Sequence, residues 1–406
     1  MTRRERLMAT LRGEPVDRPA VNFYEIGGFE IDPSDPDEFN VYNDPSWQPL
    51  LQLAEEQTDL IRMRSPVRSR SHEVEGLPDR SKAESRWAEF FETQKYEQDG
   101  ARFKRVTLRI GGRTMTSLTR RNPDMDTVWT VEHLLKNMDD LKAYLELPDE
   151  IFIRELDIAK LVEEDEKLGD RGIVMVDTED PICAAASLFS MEDFTVIALT
   201  EQKLFHRLLE KVARPLYGRT EQTARAFPGH LWRIYGPEYV TEPYLPPHLF
   251  KEYVVRYTSP MVQMIQKYGG QTNGLDRIPP AFGGFARIHC HGRIRAVLDY
   301  IVEMGADAID PIEPPPHGDI ELADVRRRYA KDLVLFGNLE IADLEGMEPG
   351  DFEKVVRKAL VEGASSPGRG FVLMPSSAPN GRKITPRMMA NYEAMVRLAT
   401  RFGNTL

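Results

Sequence analysis

His289-Cys290-His291 places two imidazoles two positions apart. On a β-strand, alternate residues point to the same side, so both rings share one face and Cys290 takes the other. Two neutral imidazoles plus a carboxylate can hold a catalytic divalent metal with one coordination position left open. Glu313, at the end of the next strand-like run, is the natural third ligand, making His289, His291 and Glu313 a candidate site for zinc or another divalent cation. The same histidines could instead contact an anionic substrate, or hydrogen-bond to carboxylates in a structural role. Asp177, Glu238 and Glu340 could serve as general acid or base if burial moved a pKa towards neutrality, or each could be tied up by an arginine. Tyr24, Arg62, Tyr239, Asn338 and Ser377 are the candidate contacts to a small-molecule substrate.

These residues sit at the ends of short β-prone runs. VNFYEIGG and DLIRMRSPV come early, and IVMVDTEDP, LWRIYGPEY, FARIHCHG, DAIDPIEPP, LVLFGNLE and FVLMPSSAP follow from residue 173 onward. Between them lie helical spacings, such as Leu204, Phe205, Leu208, Leu209 and Val212, or Ile294, Val297, Leu298, Ile301 and Val302. Thr2 and Glu5 form a capping box, and Thr385-Pro386 reads as a helix start. Strands alternating with helices imply a parallel sheet, and eight of them imply an α/β TIM (β/α)8 barrel, whose reactive groups gather at the C-terminal strand ends. An open doubly wound sheet is the alternative, but the chain has no G-x-G-x-x-G and no P-loop. H-E-x-x-H and the G-x-S-x-G elbow are absent too. Residues 68–150 break the rhythm: RFKRVTLRIGGRTMTSLTRR alternates around Gly111-Gly112, a β-hairpin pattern. The expected organisation is a single barrel domain over 1–406 with an insertion at about 68–150.

Composition bounds the partners. Of 406 residues, 41% are hydrophobic and 29% charged, enough to bury a large core. With 53 basic and 65 acidic residues the net charge is −12, so no global basic field attracts nucleic acid or an anionic membrane. Two cysteines are too few for a disulfide framework, and the charged N-terminal helix signal lacks the apolar run of a signal peptide. The expectation is a cytoplasmic enzyme.

RERLMATLRGEPVDRPAV, IHCHGRIRAVLDYIVEMGADAIDPIEPP, LVLFGNLE and FVLMPSSAPNGRKITPRMMANYEAM together resemble the uroporphyrinogen decarboxylase superfamily. The resemblance implies a TIM barrel. It also implies a choice between two branches. Porphyrinogen decarboxylases carry an arginine-bearing M-R-Q-A-G-R segment after the first strand, where this chain reads NFYEIGGFE. The other branch transfers methyl groups with corrinoid proteins and holds zinc with H-x-C and a later cysteine. Against that pattern His289 matches the histidine, His291 falls on the first cysteine position, Ser377 on the second, and Glu313 on an acidic position near the metal. Losing both thiolates leaves a harder donor set, suited to acting on an oxygen or nitrogen of the substrate. The implied function is methyl transfer from a small methylated substrate in partnership with a corrinoid protein, assisted by a His/His/Glu site. A cofactor-free decarboxylase-type lyase acting on a tetrapyrrole or another acid, and a non-catalytic ligand or corrinoid-protein binder, are the alternatives. Barrels of this family commonly pair, which implies a homodimer with the hairpin segment as interface or lid.

Overall fold

The computed structural model describes residues 1–69, 86–268, 283–365 and 368–403. Strands β1 (Ala20–Val21) and β2 (Leu60–Arg64) come first. Four more strands follow, β3 (Phe91–Gln98), β4 (Ala101–Ile110), β5 (Arg113–Arg121) and β6 (Val128–Glu132). Then come β7 (Gly172–Glu179), β8 (Leu231–Tyr235), β9 (Phe285–His289), β10 (Ala308–Asp310), β11 (Val334–Leu339) and β12 (Phe371–Pro375).

Every one of the eight runs expected as barrel strands contributes a strand to one parallel sheet, ordered β1-β12-β11-β10-β9-β8-β7-β2. At the seam between β1 and β2 the Asp59 N–H donates to the Val21 carbonyl at 2.7 Å. The Asp59 carboxylate accepts from Val21 N at 2.9 Å, from Arg6 at 2.6 Å and from Arg18 at 2.8 Å. One fully buried acid thus joins the two strands and the chain leading into them. The architecture is the TIM-like barrel that the strand count predicts.

Strand alternation sorts the side chains. Ile61, Met63, Ile173, Met175, Leu231, Phe285, Ala308, Val334, Phe336, Val372 and Met374 form one cluster inside the barrel. Their neighbours Leu60, Val174, Val176, Trp232, Ile234, Ile288, Leu335 and Leu373 belong to the larger cluster under the helices. Each buried aliphatic or aromatic side chain contributes roughly 1.5–3 kcal/mol. The first helix, Arg3–Arg12, opens with the Thr2/Glu5 capping box and closes on Gly13 at φ 71°. Its Leu7, Met8 and Leu11 join the interior cluster and plug the end where the strands begin.

The four strands β3–β6 form a separate antiparallel sheet. Gly111 and Gly112 both take positive φ, 58° and 76°, as the two-residue turn between β4 and β5 requires. The hairpin read from the sequence is therefore present, extended by a strand on each side. Of the stretch 68–150, residues 70–85 lie outside the described residues. This sheet is tied to the C-terminal end of the barrel, where Asp126 N donates to Asn380 O at 2.8 Å and Leu135 N to Leu188 O at 2.9 Å. Its edge strand β6 exposes Val128, Trp129 and Val131. Among the described residues no helix is long and apolar enough to cross a membrane.

Candidate active site

At the C-terminal ends the inward-facing positions change from apolar to charged. On β9 the interior series runs Phe285, Arg287, His289, and on β7 it runs Ile173, Met175, Asp177. Arg287 and Asp310 are both fully buried and form an ion pair at 2.9 Å. The other oxygen of Asp310 lies 2.8 Å from His289 Nδ1. Burial favours the neutral acid, but Arg287 and His289 outweigh it and hold Asp310 down at about 2. For His289 burial wins over the Asp310 charge, and its pKa falls to about 4. At neutral pH His289 is therefore uncharged, with Nδ1–H directed to Asp310 and Nε2 left as its basic nitrogen.

A second ion pair, of buried Arg233 and half-buried Asp177, stands beside the first. Arg233 donates to both oxygens of Asp177, at 2.6 and 3.2 Å, and also to the Tyr24 hydroxyl. Tyr24 stacks on His289 with ring centroids 5.9 Å apart and its hydroxyl 3.5 Å from Nδ1. Its backbone is held in the left-handed region at φ 58°, with its N–H bonded to Asn22 Oδ1 at 2.8 Å. Ile312, between Asp310 and Glu313, has the same φ. Such a conformation costs on the order of 1–3 kcal/mol in a non-glycine residue, so the surrounding packing must impose it.

His291 presents the opposite electrostatics. Its Nδ1 lies 2.8 Å from Glu313 Oε1, and Gly292 N–H donates to Glu313 Oε2 at 2.6 Å. Burial disfavours its charge, but the hydrogen bond and charge of Glu313, with Glu238 and Asp310 behind it, raise its pKa. The rings of His289 and His291 meet edge to face, 4.5 Å between centroids.

Glu238 follows β8 in the short helical turn Pro237–Val240. Its Oε2 is buried and has no hydrogen-bond partner among the described residues. Burial raises its pKa, and backbone hydrogen bonds at Glu238 and Gly236, with the charges of His291 and Arg233, pull it back only in part. Glu340 is also buried, accepting from Ser376 Oγ at 3.3 Å while its Oε2 has no partner. Burial likewise raises Glu25, whose Oε2 accepts from Ala378 N at 3.2 Å. At the barrel mouth burial thus favours the protonated form of Glu238 and Glu25, beside one neutral imidazole and one whose charged form is favoured.

Residues 126–401 match the uroporphyrinogen decarboxylase (URO-D) family. The chain belongs to that family. A methyltransferase from Methanosarcina mazei shares the fold at a TM-score of 0.52, with 16% identity and 99% of both chains covered. No curated protein matches the sequence.

Within this URO-D barrel the sequence-derived candidates divide. Tyr24, Asp177, Glu238, His289, His291, Glu313, Asn338 and Glu340 all lie at the C-terminal strand ends. Tyr239 is half-buried beside them, its ring 6.0 Å from Phe194. Ser377 turns its hydroxyl to the Ala378 carbonyl at 3.3 Å, so Ser376 is the serine that reaches Glu340. Arg62 is not brought to the site. It lies between the inward-facing Ile61 and Met63, and therefore points to the helices, where it pairs with Glu55 and Glu164. The expected metal set is likewise not assembled: Glu313 spends both oxygens on His291 and Gly292. Among the described residues no three His, Cys, Asp or Glu side chains are grouped to hold a metal ion. Glu313 orients His291 rather than joining it as a ligand, so no chemical step is derived through a metal.

Arg233, Arg287 and Asp310 were absent from the expected set. Their signal was a charged residue inside an apolar strand run, two positions before a strand-end candidate or at the end of DAID.

Proposed function

We propose that this URO-D family chain is an enzyme that removes a methyl group from a small methylated substrate and passes it to a corrinoid protein. The observation that carries this reading is Glu238, a buried carboxyl with an unpartnered oxygen and a raised pKa. A methyl group bound to oxygen or nitrogen leaves slowly because the heteroatom must take the bonding electrons. An acid that protonates the heteroatom as the bond breaks removes that obstacle, typically worth 10²–10⁴ in rate. Glu238 supplies the proton, and water restores it after the demethylated product leaves. The methyl carbon forms its new bond to a nucleophile from outside the barrel. The reduced cobalt of the partner's corrinoid would supply that electron pair. His289, kept neutral, offers Nε2 to a substrate proton, while Arg233 and Tyr24 form the wall behind it.

The two interior arginines support this reading over decarboxylation of a polyacidic tetrapyrrole. Arg233 is paired with Asp177 and Arg287 with Asp310, so neither is a ready anchor for substrate carboxylates. Docking of the corrinoid protein, or of a second copy of the chain, would fall near the mouth, where β6 exposes apolar side chains.

Anisole, trimethylamine and free cob(I)alamin serve as probes. Enzyme-dependent loss of the cob(I)alamin absorbance with either donor, reduced at least a hundredfold in Glu238→Gln, is the expected result. Carbon dioxide release from uroporphyrinogen without any methyl acceptor would overturn the reading in favour of the lyase. Binding of a methyl donor without turnover would leave a non-catalytic binder.

A further inference from the structure

Outside the barrel wall, a cavity of about 540 Å³ lies between the antiparallel sheet and the helix Gln202–Ala226. Drug-sized ligands occupy pockets of this size. Trp87, Phe91, Tyr144 and Phe152 supply an aromatic wall. Trp87 and Phe91 are stacked at 4.7 Å and 7°, and Tyr144 and Phe152 lie 5.7 Å apart. Planar faces of this kind match a flat aromatic ring.

The charged residues that line the cavity balance, Asp149, Glu150 and Glu179 against Arg154, Arg214 and Arg219. Asp149 is bonded to Lys211 at 2.8 Å and to Arg214 at 2.7 Å, and Glu179 to Arg219 at 3.0 Å. Glu150 pairs with Arg86 at 4.0 Å, and Arg154 donates to the Arg68 carbonyl at 3.0 Å. A charged guest would have to break one of these pairs or be buried without a counter-charge. Among the described residues Arg219 Nε has no acceptor, although Nη2 serves Thr178 and Glu179. An oxygen on the guest would meet that donor.

The cavity also touches the catalytic end. Glu179 lines the cavity, and the Tyr235 hydroxyl donates to the same carboxylate at 3.2 Å. Tyr235 lies under the Arg233 guanidinium, 5.1 Å from ring centroid to carbon. Lateral cavity and barrel mouth thus share one wall of hydrogen-bonded side chains.

We propose that this lateral cavity is a second binding site, one for an uncharged aromatic small molecule that carries a hydrogen-bonding oxygen. The site stands independently of the methyl-transfer reading, because it rests on its own walls and is tested without turnover.

Gly218 gives a selective way to fill it. The residue lines the cavity from the middle of the Gln202–Ala226 helix, and a Cβ placed there would meet only Gln222 Nε2, at 4.0 Å. Replacing a helical glycine removes a helix-breaking residue, so a larger side chain here should not unfold the protein. Calorimetric titration with 2-naphthol should show one saturable site in the wild type. Gly218→Ala should bind within about twofold, and Gly218→Phe at least tenfold more weakly, with no drop in thermal midpoint. The anion 2-naphthoate should bind at least tenfold more weakly than 2-naphthol. Undiminished 2-naphthol binding to Gly218→Phe would overturn the proposal by placing the probe elsewhere. Equal affinity for 2-naphthoate, or no saturable binding to the wild type, would overturn it as well.

Discussion

The two ends of the barrel interior are built from the same strands and the same alternation, yet they do opposite work. At the floor, Ile173, Leu231, Phe285, Ala308, Val334 and Val372 pack with Leu7, Met8 and Leu11 of the first helix. One turn of the pleat further on, the same strands present Asp177, Arg233, Arg287, His289 and Asp310. The floor gains stability from simple burial. The mouth must desolvate ions, and each buried charge is tolerated only because another sits against it. A parallel barrel can therefore lodge a polar site within its own core, provided the apolar half carries the fold.

That division can be attacked from both ends. The largest expected effect belongs to the mouth: Glu238→Gln should lower turnover by about 10²–10⁴ while leaving the unfolding midpoint within a few degrees. An equally large loss of stability would show that Glu238 is a structural acid. At the floor, Leu231→Ala should cost about 2–5 kcal/mol in denaturant unfolding while activity per folded molecule stays within twofold. Loss of activity in the folded fraction would erase the separation between the ends.

The histidines provide a third test. His289 titrates at about 4 in the folded chain, against about 6.5 when unfolded. The unfolded state therefore binds the extra proton between these values. The contribution of His289, up to about 3 kcal/mol, is complete above pH 6.5 and is lost as pH falls towards 4. His291 has the reverse sign: its raised pKa makes a contribution that is present below pH 6.5 and fades as pH rises through the folded value. Histidine side-chain NMR should give one midpoint on each side of 6.5, and coincident midpoints would contradict the two environments. The smallest effect should come from Arg62→Met, about 1 kcal/mol or less in stability with unchanged turnover, since its partners Glu55 and Glu164 lie among the helices. A large loss of turnover would return Arg62 to the site.

The barrel itself was legible because hydrophobic runs and helical spacings repeat, and burial enforces them. The site was only partly so. Reading the ends of strands found His289, His291, Glu238 and Glu340, which follow or finish the apolar runs. It passed over Arg233 and Arg287, which are inside those runs, because a buried guanidinium contradicts the apolar pattern unless its partner is known. Those partners, Asp177 and Asp310, are contributed by other strands, and strand register is a property of the fold. Arg62 shows the converse. It stands at a plausible place along the chain, but Ile61 and Met63 claim the interior and force it outward. The metal set failed at a finer level, since spacing can put Glu313 near His291 but cannot say that both carboxylate oxygens are already engaged.

The seam held by Asp59 carries a consequence for how the barrel comes together. Strand β1 pairs on its other side with β12, Ala20 facing Val372 across some 350 positions of chain. During synthesis β1 must wait for nearly the whole sequence to emerge before its second neighbour exists. Asp59, bonded to Arg6, Arg18 and Val21, makes its contacts entirely within residues 6–59. Contacts this local would let it serve as an early clasp on a two-residue strand until the ring closes. A chain without that clasp would leave β1 unattached and the β2 edge uncovered for most of its assembly, and an uncovered edge in a slowly forming parallel sheet invites aggregation.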